Sequence, residues 1–185
     1  VNQWIAYFSQ GLNQQNAIQH LLAMMLYCYP HQLASQWYKN APIPNWFVND
    51  YLTFMLTAPH FFQEKGEVER YYSYLQGWVD YLHSRIFSDK SSKIWKDIAN
   101  VFLLRMNGIP LYFSSENLKE LYIKRAEIME FAILSQGNKL DYTFPKRSEN
   151  RDKIRLGILS NHFNPQTETY STLPVFEHLD QNQFE

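Results

Sequence analysis

Six histidines (His20, His31, His60, His83, His162 and His178) and one cysteine, Cys28, are the side chains of this 185-residue chain best suited to acid–base, nucleophilic or metal chemistry. No two of the histidines stand at i, i+4 and there is no Cys-x-x-Cys, so a dedicated metal site is not expected. Gly-x-Ser-x-Gly, the phosphate-binding P-loop pattern and Gly-x-Gly-x-x-Gly are all missing, and the last absence disfavours a nicotinamide dinucleotide. Cys28 sits in Met24-Met25-Leu26-Tyr27-Cys28-Tyr29 without a second cysteine to pair with, and reads as a small packed hydrophobe. His20 and His83 fall inside predicted helices, where a surface or partly satisfied core imidazole is the ordinary role. His162 differs. It follows a predicted strand by two residues, in Ser160-Asn161-His162-Phe163-Asn164-Pro165. Open α/β sheets bind ligands outside the carboxyl ends of their strands, and an imidazole there acts near neutral pH as a base or hydrogen-bond partner.

The elements that must position these residues are mostly helical. Asn13 can cap a helix whose apolar stripe is Ile18, Leu21, Leu22, Met25 and Leu26, and Pro30 ends it. His31 to Tyr38 reads as a short helix. Ala41-Pro42-Ile43-Pro44 is a rigid connector, with Pro44 placed to start a helix through Phe47, Tyr51, Phe54 and Met55 that Pro59 closes. The clearest period follows Gly66, with Val68, Tyr71, Tyr72, Leu75, Trp78, Val79 and Leu82 on one stripe. A further helix opens near Ser91 or Ser92 and carries Ile94, Trp95, Ile98, Val101 and Phe102, with Gly108 and Pro110 at its exit. Ser115 can cap a last long helix bearing Leu118, Leu121, Tyr122, Arg125, Ile128 and Met129 before Gly137. Short connections between amphipathic helices favour antiparallel pairs, as in a bundle or a TPR-like solenoid, although no 34-residue repeat stands out.

After Gly137 the composition changes. Residues 138–152 are polar and charged and read as a linker, with Lys146, Arg147, Arg151, Lys153 and Arg155 solvated. Ile154-Arg155-Leu156-Gly157-Ile158-Leu159-Ser160 reads as a buried strand. A helix over 168–179 follows, with Thr172, Leu173, Phe176 and Leu179 inward and Pro174 in its opening turn or kinking it. A parallel strand with a crossover helix needs a second strand, which would begin at Phe184-Glu185. The expectation is therefore an all-helical domain over 1–137, a linker over 138–152, and over 153–185 the start of a Rossmann-like domain whose remainder lies outside these residues.

Composition bounds the function classes. The chain is 45% hydrophobic and 19% charged, neither disordered nor membrane-like, and no apolar run approaches the ~18 residues of a membrane span. A net charge of -1 offers no field to attract nucleic acid, so none is expected as a partner. Val1-Asn2-Gln3-Trp4 lacks both an initiator Met and a signal-peptide pattern, which predicts a trimmed start and a cytoplasmic location. Aromatic residues make up 17% of the chain, and Phe61-Phe62, Tyr71-Tyr72 and the tryptophans read as core in preference to a stacking surface.

The segment Lys153-Ile154-Arg155-Leu156-Gly157-Ile158-Leu159-Ser160-Asn161-His162-Phe163, closing with Leu179-Asp180-Gln181-Asn182-Gln183-Phe184-Glu185, resembles the opening of the catalytic region of glycosyltransferase family 41. In its O-GlcNAc transferase and SPINDLY-like members, a strand of the type Arg-hydrophobic-Gly-hydrophobic-hydrophobic-Ser leads to a polar-Phe loop, a helix and Asp-x-x-x-Phe-Glu. His162-Phe163 and Tyr170-Ser171-Thr172 are similar to the His-Phe and Tyr-x-Thr of the bacterial N-glucosyltransferases that modify adhesins. Some members are also similar across the aromatic stretch Phe54 to His83. The resemblance implies metal-independent, inverting transfer of GlcNAc or glucose from a UDP-sugar to a protein or peptide acceptor, in a cleft between two Rossmann-like lobes of a GT-B enzyme. It makes His162 the catalytic candidate on the acceptor side and Asn161 and Tyr170 candidate substrate-binding residues. The chain also departs from the family: Asn164-Pro165-Gln166-Thr167-Glu168 lacks the histidine that O-GlcNAc transferases carry after the polar-Phe pair, and His162 stands where many members have an acidic residue. The donor-binding elements of the second lobe would lie beyond Glu185, so no cofactor is expected within this chain and the chain alone is expected to be inactive. The other reading is a TPR-like helical interaction module without catalysis.

Overall fold

The computed structural model describes residues 3, 17–33, 43–146, 152–159 and 164–185, and the chain divides into two units, Val1–Asp141 and Tyr142–Glu185. It is mainly helical, and its described residues include no strand. In the first unit, helix α1 spans Ala17–Tyr27, α2 Val48–Met55, α3 Glu67–Ser88, α4 Lys93–Arg105 and α5 Lys119–Ser135. Short 3-10 turns at Pro30–Gln32, Asn45–Phe47 and Ile109–Phe113 join them.

The strongest period in the sequence becomes the central element. Gly66 takes a left-handed φ of 83°, which costs glycine little, and Glu67 and Glu69 place negative charge in the first turn of α3, where the helix dipole favours it. From there α3 buries Tyr71, Leu75, Trp78, Val79, Leu82 and Ile86, whereas Val68 and Tyr72 at the edge of the stripe are half-buried. α5 packs against both α3 and α4 and contributes Leu121, Ile128 and Ala132, which meet Phe102 and Ala99 of α4 in one core. Each such Leu, Ile or Phe side chain is worth about 1.5–3 kcal/mol on burial. Lys124 donates to Asp80 at 2.7 Å and His83 Nε2 hydrogen-bonds with Glu127, so two polar contacts tie α5 to α3 on the solvent side of that core.

Several helix faces are rotated from their predicted stripes. α1 buries the i, i+4, i+7 row Ala17, Leu21 and Met24 and leaves Leu22 and Leu26 exposed. Ile94 of α4 is exposed, as the helix buries the row through Ile98, Ala99 and Phe102. α5 starts later than predicted: Asn117 Oδ1, not Ser115, accepts the Lys119 amide at 3.0 Å. The helix ends on Gly137, with φ 81°, whose amide donates to the Leu134 carbonyl at 2.9 Å while Asn138 reaches Ile133 at 3.3 Å. Asn13, Trp4, Trp37 and most of the predicted helix 31–38 lie outside the described residues; Pro30–Gln32 forms a 3-10 turn. The aromatic residues divide. Phe47, Tyr71, Trp78 and Phe102 are core, whereas Trp46 and Phe61, predicted as core, are exposed.

In the second unit, helix α6 spans Thr167–Glu177 with Pro174 inside it, beyond the opening turn. The predicted buried strand is not formed: residues 152–159 are exposed, Leu159 completely, and pairing is confined to one parallel bridge between Ile154 and Phe184. Three hydrogen bonds accompany it, from Ile154 N–H to Gln183 O (2.8 Å), Glu185 N–H to Ile154 O (2.9 Å) and Leu156 N–H to Glu185 O (2.8 Å). The physical reason is coverage. A parallel strand is buried only with neighbours on both edges and helices on both faces, and α6 buries no residue at all here. Of the predicted inward positions, Phe176 and Leu179 are half-buried, and Thr172 and Leu173 are exposed.

Candidate functional site

Asn161 and His162 lie outside the described residues, and of the three sequence-predicted site residues the structure describes Tyr170. Tyr170 stands in the first turn of α6, its side chain 63% exposed. Beside it the hydroxyls of Ser171 and Thr172 donate to the Glu168 carbonyl at 3.0 and 2.8 Å, and Thr169 donates to Asn164 O at 2.8 Å, so these short polar side chains serve the helix backbone. Of the predicted solvated charges, Lys146 and Lys153 are exposed, Arg155 pairs with Glu185 at 2.8 Å, and Arg147 and Arg151 lie outside the described residues.

A cleft of about 980 Å³ lies in the first unit, between the loop that joins α2 to α3 and the segment that follows α4. Its size is that of a small-ligand site. Both walls are tied to α3. Tyr71 Oη donates to the Asn107 carbonyl at 3.2 Å, and Asn107 Oδ1 accepts the Ile109 amide at 2.9 Å, which sets the turn Ile109–Phe113. Burial pushes the Tyr71 phenol up, with the Tyr122 hydroxyl adding to the shift, so it stays a donor. Pro110 and Leu111 anchor that turn in the core and Ile109, Tyr112 and Phe113 face outward. Across the cleft Phe62 meets Phe113 edge-to-face, with ring centroids 6.5 Å apart.

The opposite wall is held by a buried acid. Glu67, the first residue of α3, turns its carboxylate back on the preceding loop. Oε2 accepts the amides of Gln63 at 2.6 Å and Glu64 at 3.3 Å, and Oε1 lies 3.3 Å from His31 Nε2. The side chains of His31 and Glu67 are 1% and 7% exposed. Burial works to raise the Glu67 carboxyl, but the Gln63 and Glu64 amides and His31 outweigh it and hold the group below its ordinary range. Burial lowers His31 despite the neighbouring carboxylate, with Arg70 adding to the effect. The imidazole is therefore neutral, its Nε2–H donates to Glu67, and Nδ1 is a buried acceptor with no partner among the described residues. Its ring stacks on Tyr29 (centroids 5.8 Å apart) and meets the edge of Tyr71 (5.5 Å). The turn carrying it is closed by Gln32, whose Oε1 accepts the Tyr29 amide at 2.8 Å.

Chemically this pair is a clamp that shapes the cleft wall, since both of its side chains are shut off from solvent. Neither the pair nor the cleft was found from sequence. An acidic residue straight after Gly66 signals a helix start, but its partner stands 36 positions earlier, beyond any local spacing rule. Among the described residues no group of three or more His, Cys, Asp or Glu side chains could hold a metal ion, and no helix is long and apolar enough to cross a membrane. No family model matches the chain, and no curated protein or solved structure matches it.

Proposed function

We propose that the chain is the helical domain and the opening β-α segment of a protein glycosyltransferase that uses a UDP-sugar, GlcNAc or glucose, as donor. The observation that supports it is the isolated parallel bridge between Ile154 and Phe184, which stand on either side of α6 in the chain. Parallel pairing across a connection that contains a helix is the seed of a β-α-β crossover, the unit from which Rossmann-like lobes are built. The resemblance of 153–163 and 179–185 to family 41 supplies the chemistry. On it, Asn161 and His162 follow the carboxyl end of the first strand, where open α/β sheets hold ligands, and Tyr170 begins the helix beyond. His162 orients the acceptor group and takes its proton as the acceptor atom bonds to the anomeric carbon and UDP leaves. Donor binding belongs to a second lobe outside these 185 residues, and the helical unit braces the acceptor side.

The test is to incubate the intact gene product with UDP-glucose or UDP-GlcNAc and candidate acceptor proteins, and to look for added hexose or N-acetylhexosamine by mass spectrometry. Transfer is expected, with lower turnover in His162→Ala. Folded protein that neither transfers sugar nor releases UDP would sink the proposal. A second reading, a helical protein-interaction module, is favoured by the cleft of the first unit. Coding sequence that continues past Glu185 with alternating strand and helix patterns fits the transferase, whereas a stop codon there fits the module.

A further inference from the structure

We propose that the His31–Glu67 pair is an acid-released latch: when His31 takes up a proton, the turn Pro30–Gln32 comes away from α3 and slackens the cleft wall, while the core built by α3, α4 and α5 stays folded. The hydrogen bonding of the turn carries this. The Gln32 amide donates to Tyr29 O at 3.0 Å, the Leu33 amide to Pro30 O at 3.1 Å and the Tyr29 amide to Gln32 Oε1 at 2.8 Å, so the turn closes on itself. Among the described residues, the bond from His31 Nε2 to Glu67 Oε1 is the one hydrogen bond that reaches from the turn to another element. Beyond it the turn is held by packing, through the buried Pro30, His31 and Leu33 and the edge contact of the His31 ring with Tyr71. The polar tether of the segment is thus a side chain of the type whose charge changes near neutral pH.

The tether has no place for a second proton. Its two side chains are 1% and 7% exposed, and His31 Nδ1 has no partner among the described residues. The groups that face the imidazole are the Glu67 carboxylate, the Arg70 guanidinium and the Tyr71 ring of α3, and the Tyr29 ring of the turn. Glu67 is committed through Oε1 to Nε2 and through Oε2 to the Gln63 and Glu64 amides, Arg70 repels an imidazolium, and Tyr71 Oη is turned to the Asn107 carbonyl. Protonation therefore buries an N–H with no acceptor, a cost that release to water removes. Burial accordingly holds the imidazole below its ordinary 6.5, and the released turn regains that value, so release is favoured by up to about tenfold per pH unit as pH falls below 6.5. Once the turn is out, water reaches the Glu67 carboxylate and competes with the two amides that fix Glu64, Lys65 and Gly66 of the cleft lining. The latch lies wholly in the first unit and is independent of sugar transfer.

The experiment is amide hydrogen exchange of the intact chain, read by mass spectrometry at about pH 7.5 and about pH 5 and corrected for the intrinsic effect of pH on each peptide. Both conditions lie above 4.5, so Glu67 stays ionised in each. Peptides covering 29–33 and 62–67 are expected to exchange several-fold faster at the lower pH, with those covering 95–105 and 119–135 unchanged. His31→Gln keeps an N–H for Glu67 but cannot titrate; with its fold verified by circular dichroism, it is expected to abolish the change. In the wild-type chain, the ring resonances of His31 in NMR are expected to titrate in step with the exchange, a readout that needs no variant. A pH-insensitive 29–33 segment, a rise shared equally by 95–105 and 119–135, a rise that persists in folded His31→Gln, or a His31 ring that titrates out of step with the exchange would overturn the proposal.

Discussion

Replacing Glu67 by Ala removes the acceptor that joins the Pro30–Gln32 turn, the loop before α3 and the helix itself. The short bond to the Gln63 amide, 2.6 Å to a charged oxygen, is of the kind worth about 1.5–3 kcal/mol, and the two 3.3 Å contacts to Glu64 and His31 add less. His31 would be left with both ring nitrogens buried and unpaired, a further cost of about 1–3 kcal/mol. Gln63 and Glu64 are exposed residues whose amides can turn to water, which returns part of the loss. The net expectation is about 3 kcal/mol for Glu67→Ala and about half of that for Glu67→Gln, which keeps one acceptor oxygen. All five tryptophans precede residue 142, so urea unfolding followed by tryptophan fluorescence reports on the first unit. At an m-value of about 2 kcal/mol/M, the midpoint for Glu67→Ala should fall by about 1.5 M.

The same pair sets a pH dependence. His31 is held below its ordinary 6.5, so the unfolded chain takes up a proton that the folded chain refuses; stability is full above 6.5 and declines as pH falls toward the folded value. Glu67 is held below 4.5, and its contribution, present above 4.5, is lost as pH falls through the folded value. Both therefore act in the same direction, acid weakening the fold, with His31 first at up to about 1.4 kcal/mol per pH unit. His31→Phe, whose ring can still pack between Tyr29 and Tyr71, should flatten the slope that sets in as pH falls below 6.5 while sparing the decline that begins near 4.5. A cost under about 0.5 kcal/mol for Glu67→Ala, or an unchanged slope in His31→Phe, would refute the clamp.

Phe102→Ala, at a position with no exposed surface, should destabilise the first unit by about 3–5 kcal/mol in the same urea assay. Gly137→Ala meets no atom within 4 Å but keeps a φ of 81°, so thermal melting should register a loss of about 1 kcal/mol from backbone strain alone. Burial pushes the Cys28 thiol from 9.0 up to about 11, and its Sγ donates to the Met24 carbonyl at 3.1 Å. Alkylation by iodoacetamide, read by mass spectrometry, should accordingly run about a hundredfold slower in the folded chain than in urea.

What the sequence determined by itself is the helical character and most of the helix boundaries. The periods of α3, α4 and α5 are carried by large side chains at i, i+3 and i+4, and Gly66, Pro59 and Gly137 punctuate them, all of which act through neighbours a few residues away. Which row of each helix faces inward was decided by tertiary packing. Leu22, Leu26 and Ile94 satisfy the helical pattern as well as their buried neighbours do, and only the positions of the other helices choose between them. The same holds for Ile154 to Leu159: apolar content marks a strand, but burial requires partners on both edges and both faces, which no local run supplies. The cleft and its clamp belong wholly to the tertiary level, because His31 and Glu67, or Phe62 and Phe113, are joined by the fold and by nothing in their spacing.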